Sequence, residues 1–132
     1  MRKWLTAILV GAAALILNCG HGQILESITL LPSGFVFEGQ YAAGQFKAIG
    51  NYAYPTETKD ITDQVLWQLD VAYFGTVTQT GLVTYTRPDG CGSGYVTATA
   101  YTNPQNPSAG TSVIGSASVS GVNNGNTTKC AP

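Results

Sequence analysis

The sequence predicts an all-β protein, a two-layer β-sandwich of about seven strands, preceded by a cleaved helical signal peptide. Three observations carry that expectation. From about residue 24 onward, short stretches alternate apolar and polar residues with period two, and no window keeps a helical period. Gly, Pro, Asn or Asp interrupts the alternation at near-regular intervals. Charged residues make up only 10% of the chain, which leaves the polar positions to Ser, Thr, Asn, Gln and Gly, as in strands and turns more than in a cytosolic enzyme.

The first element is the leader. Arg2 and Lys3 supply a charged start, and Trp4 to Leu17 is an uncharged apolar run, short for a membrane span but of the length of a secretory signal. Ile16-Leu17-Asn18-Cys19-Gly20 resembles a bacterial lipobox, with Asn18 standing where Gly or Ala is usual and Leu15-Ile16 where a single Leu is usual. The resemblance implies that Cys19 is acylated, that residues 1–18 are a lipoprotein-type signal peptide and that residues 19–23 are a linker. A cut after Gly22 is the competing expectation, since Gly20 and Gly22 are spaced like an ordinary signal-peptidase site. That cut would leave a secreted or periplasmic protein. Two or more acyl chains, at about 0.8 kcal/mol per buried methylene, suffice to hold a small domain at a membrane. The remaining sequence has no second apolar run and no basic cluster that could do so.

From Cys19 the chain has 114 residues, enough for one domain with one core. Four basic residues against seven acidic ones give this part a formal net charge of −3. Nucleic acid is not an expected partner, because phosphate contacts need a basic surface.

The strands then follow in order. Leu25 to Leu31 places Ile28 and Leu30 inward, Ser27 and Thr29 outward, and ends at Pro32. Gln45 to Tyr54 sets Phe46, Ala48, Gly50 and Tyr52 on one face against Lys47, Ile49 and Asn51. After the turn Asp60-Ile61-Thr62-Asp63 comes Val65 to Leu69, with Val65, Trp67 and Leu69 on one face and Trp67 expected at the centre of the core. Phe74 to Thr78 and Leu82 to Thr86 flank Gly81 as a hairpin. Tyr95 to Tyr101 turns Val96, Ala98 and Ala100 one way and Tyr95, Thr97, Thr99 and Tyr101 the other. Val113 to Ser120 closes the series, with Val113, Gly115, Ala117 and Val119 inward. Sheets with one apolar face need a second layer, and about 100 residues in seven strands is the size of an immunoglobulin-like sandwich.

Five blocks in order, Ser27-Ile28-Thr29-Leu30, Gly44 to Tyr52, Asp60-Ile61-Thr62 with Val65 and Trp67, Gly81-Leu82-Val83-Thr84, and Gly115 to Val119, resemble the group 2 bacterial Ig-like domain over roughly residues 24–121. The resemblance implies a Greek-key sandwich of the kind found in bacterial surface adhesins, and it implies no catalytic residues. Three features depart from the family pattern: a solitary module, an extra turn at Arg87 to Gly92, and a tail over residues 122–132 that carries Cys130.

Candidate chemistry is sparse. No catalytic residue, cofactor or metal site is expected. The lone histidine, His21, lies two residues behind Cys19, away from any nucleophile, and three cysteines fit no zinc spacing. Glu57, Asp60 and Asp63 bracket one loop where calcium is conceivable, but Asp60 and Asp63 read better as turn residues bonded to their own backbone. Tyr95, Thr97, Thr99 and Tyr101 form a polar-aromatic stripe suited to a glycan or protein, although Tyr and Thr are also ordinary strand residues. The loop Thr102 to Thr111, with Asn103, Gln105 and Asn106, is long enough to carry recognition. Whichever cut removes the leader, Cys91 and Cys130 remain as two thiols in an oxidising compartment and are expected to pair. The function expected is that of an exported, non-catalytic envelope lipoprotein, anchored through an N-terminal lipid, whose module serves adhesion, glycan or protein binding, or surface-complex assembly. The alternative is a secreted or periplasmic accessory domain of an enzyme system, or a small hydrolase.

Overall fold

The structure is a computed structural model that describes residues 23–87, 92–103, 106, 108 and 110–122. Cys19 with the rest of the leader, the cysteines Cys91 and Cys130, and Gln105 lie outside the described residues. The described residues form ten strands and no α-helix: β1 (Ile24–Leu31), β2 (Gly34–Glu38), β3 (Ala43–Gln45), β4 (Lys47–Ala53), β5 (Glu57–Asp60), β6 (Leu66–Leu69), β7 (Gly75–Val77), β8 (Leu82–Tyr85), β9 (Gly92–Tyr101) and β10 (Ser112–Val122).

Three ladders result, in the orders β1-β4-β5, β3-β8-β7 and β2-β10-β9-β6. Every pairing is antiparallel except β2 with β10, which is parallel. The first two ladders share the run 43–53, which is broken only at Phe46, where the backbone N–H donates to Gly81 O at 2.8 Å, one step further along the β3–β8 register, before β4 takes up its pairing with β1. A single strand was expected over Gln45 to Tyr54; the structure divides it there.

Two strands go beyond the expected set, for opposite reasons. In β2 the run Phe35-Val36-Phe37 is apolar on both faces, so period two is hidden; Phe37 is fully buried while Val36 is exposed. In β5 all four residues are exposed and polar, and only pairing with β4 makes them a strand.

The alternation elsewhere maps onto burial as expected. Ile28, Leu30, Phe46, Ala48, Trp67, Val96, Ala98, Ala117 and Val119 all belong to one core cluster, and Ser27, Thr29, Ser116 and Ser118 are exposed. The result is a sandwich-like body with one core. One region of that core is aromatic: ring centroids lie 4.6 Å apart for Phe35 and Phe37, 5.6 Å for Phe37 and Phe74, and 4.8 Å for Phe74 and Tyr85, tilted or edge-on as the ring quadrupoles favour.

Trp67 is only 2% exposed, and its indole N–H donates to Thr62 O at 2.9 Å. The β7–β8 hairpin turns at Gly81, whose φ is +84° and where a Cβ would stand 2.6 Å from Phe46 O and 3.0 Å from the Trp67 ring. Both the backbone conformation and the space therefore call for glycine.

Candidate functional site

The segment 61–65 carries the chain from β5 to β6 and is fixed at several points. Ile61 N donates to Ala48 O, Gln64 N to Ile61 O, and Ala48 N to the Thr62 hydroxyl. Asp60 starts this turn by accepting hydrogen bonds from the Thr62 hydroxyl and from Thr62 N, and those two bonds hold its carboxyl below the ordinary aspartate value. Glu57 is occupied elsewhere, accepting from Gln23 Nε2 at 2.7 Å and pairing with Lys59 at 3.9 Å. No group of three or more His, Cys, Asp or Glu that could hold a metal ion occurs among the described residues.

Where this crossover passes the start of β1 and the end of β9, the body opens into a cleft of about 860 Å³. Leu25, Ile61, Val65 and Ala100 supply apolar walls. Gly50 makes room for them, since a Cβ there would stand 3.0 Å from both Leu25 Cδ1 and Ile61 Cδ1 and 2.8 Å from the Tyr52 ring. Tyr52, Asp63, Gln64, Thr99 and Tyr101 add the polar groups, and among the described lining residues Asp63 is the one charge and none is basic.

The expected stripe is thus divided. Thr99 and Tyr101 line the cleft. Thr97 does not; its hydroxyl donates to Gln68 O at 3.4 Å. Tyr95 stands farther along β9, exposed, with its N–H donating to Asp70 Oδ1 at 2.7 Å. Asn103 and Asn106 close a turn on each other, Asn106 N donating to both Asn103 O and Asn103 Oδ1.

Thr99 differs most from expectation. It lies in register between Leu66 and Ile114, two larger side chains, and is 7% exposed instead of open. Its hydroxyl makes no side-chain hydrogen bond among the described residues, yet it is not sealed from solvent. It faces the cleft with its hydrogen-bonding capacity unused.

Gln79, from the turn between β7 and β8, was not singled out by sequence. It walls the cleft beside β6 and covers that strand's outer edge: Trp67 N donates to Gln79 Oε1 at 3.4 Å and Gln79 Nε2 donates to Trp67 O at 3.3 Å. Tyr52 and Gln64 were likewise not anticipated as site residues. Tyr52 alternates correctly for a core position, and only its place near the open end of β4 brings it to the cleft.

No protein-family model and no curated protein sequence matches this chain.

Proposed function

We propose that the chain is a non-catalytic cell-envelope lipoprotein that presents an immunoglobulin-like Greek-key module for binding. The observation that carries this reading is the combination of an apolar N-terminal run ending in Ile16-Leu17-Asn18-Cys19-Gly20 with an all-β, sandwich-like body in which β1 pairs within the first ladder and β2, directly after it in the chain, joins the other sheet in parallel with the last strand. A strand that begins in one sheet and rejoins the other beside the final strand is consistent with an Ig-like topology. The cleft adds a concave, largely apolar site with a few polar groups, the form that binding sites take. Acylation of Cys19 is the anchor, and pairing of Cys91 with Cys130 holds the tail.

Fractionation tests the anchor. The parent should partition with membranes and the detergent phase, and Cys19→Ser should move to the soluble fraction. A Cys19→Ser protein that still partitions with detergent, or a mature N-terminus at Gln23, would overturn the lipid reading.

A further inference from the structure

We propose that the cleft between the start of β1, the 61–65 crossover and the end of β9 is a binding site for a neutral saccharide. This rests on the binding role proposed above but not on the lipid anchor.

Charge narrows the ligand first. The described lining holds the Asp63 carboxylate and no basic group, and the nearby cation Lys59 is committed to Glu57 at 3.9 Å and to Gln23 Oε1. A phosphate, sulfate or acidic sugar would meet no counter-charge there.

The unused polar groups narrow it further. The side chains of Asp63, Gln64, Thr99 and Tyr101 make no hydrogen bond among the described residues. Of the other polar lining residues, Thr102 is engaged with Thr111, Gln79 with the Trp67 backbone and Gln23 with Glu57. Thr99 carries the most weight, because the residue is 93% buried while its hydroxyl, unpaired among the described residues and still accessible, is free to bond a ligand in the cleft. A carboxylate, an amide and two hydroxyls around an apolar floor suit a molecule with several hydroxyls on one side and a C–H face on the other. The tyrosine ring is apolar along its body and polar at its tip, which serves both.

A peptide is the other neutral candidate, and the structure disfavours it. Extended peptides gain affinity by adding to a free strand edge. The edge of β6 that borders the cleft has the Trp67 N–H and C=O occupied by Gln79.

Isothermal titration calorimetry on the full chain, with maltotetraose, cellotetraose and the β-1,4-linked N-acetylglucosamine tetramer as probes, tests the proposal. At least one should bind with a Kd of about 1 mM or tighter. Thr99→Val, which keeps shape and removes the hydroxyl, and Tyr101→Ala should each weaken that binding about tenfold or more, and Tyr95→Ala should leave it unchanged. Circular dichroism and the melting temperature show that each variant is folded, and Cys19→Ser should bind sugar like the parent, which separates this result from the anchor. Absence of heat with all three sugars at about 10 mM overturns the proposal. So does binding that Thr99→Val and Tyr101→Ala leave untouched, or equal binding of 6′-sialyllactose or of an uncharged pentapeptide.

Discussion

Replacing Trp67 tests whether one side chain holds the crossover, β6 and the β7–β8 hairpin together. The residue is 2% exposed, and a buried tryptophan removes about 200 Å² from water. At about 25 cal/mol per Å² that burial is worth about 5 kcal/mol, an upper figure because the unfolded chain already hides part of the ring. Its indole N–H also satisfies Thr62 O at 2.9 Å, worth about 1 kcal/mol net. Trp67→Ala leaves a void bordered by Gly81 on the hairpin, whose φ and contacts leave it little freedom to move inward. The expected loss is about 3–5 kcal/mol, a large share of the 5–15 kcal/mol typical of a domain. Trp67→Phe retains a ring and forfeits the bond to Thr62, and should cost about 1–2 kcal/mol. Urea unfolding followed by far-ultraviolet circular dichroism reads both. With a slope of about 2 kcal/mol per molar, the Ala midpoint should fall by about 2 M and the Phe midpoint by less than 1 M. An Ala variant whose midpoint stays within about 0.2 M of the parent at equal slope refutes the packing argument.

Three further outcomes are expected. Gly81→Ala places a Cβ at φ +84° and 2.6 Å from Phe46 O, so it should destabilise by about 1–3 kcal/mol and lower the melting temperature, whereas Gly39→Ala, also at positive φ but with open space around it, should cost less. Asp60 has its carboxyl held low by Thr62, so its contribution is present above the unfolded aspartate value and is lost as pH falls through the folded one; Asp60→Asn should therefore flatten the decline in melting temperature below about pH 4, and an unchanged acid limb would refute it. Peptide mapping of unreduced protein should recover Cys91 and Cys130 as one linked peptide, which closes a loop of 39 residues worth at most about 4 kcal/mol; labelling of both by iodoacetamide contradicts the pairing.

The parts of this fold that were legible in sequence are those fixed by local alternation. Ile28 and Leu30 against Ser27 and Thr29, Val65 and Trp67 around an exposed Leu66, and the hairpin at Gly81 each follow from period two or from a single turn residue. What escaped depends on strands distant in sequence. β2 is a strand because β10, some eighty residues later, lies parallel to it, and Phe35-Val36-Phe37 carries no alternation that would announce the pairing. Thr99 is buried because Leu66 and Ile114 fall beside it in register, a fact of three strands and not of β9 alone. The cleft is less legible still. Ala100 reads as a core residue, Leu25 as the start of a strand and Ile61 as part of a turn, and only the meeting of three chain segments at an open end leaves them facing one space.

Gln79 ties the stability of the body to the shape of that space. An outer strand with unpaired N–H and C=O groups is a template for another chain, and β6 is the outer strand of its sheet. The Gln79 side chain, an amide like the backbone's own, occupies both groups of Trp67 from a turn twelve residues away. It can do so only while the β7–β8 hairpin rests against the indole, where Gly81 permits the close approach. The same amide walls the cleft. Whatever loosens the hairpin, Trp67→Ala or Gly81→Ala, must then open the β6 edge and reshape the cleft together, so association of the protein and loss of ligand should appear in the same variants. Thr99→Val touches neither the hairpin nor the edge, and in that variant the two effects should separate.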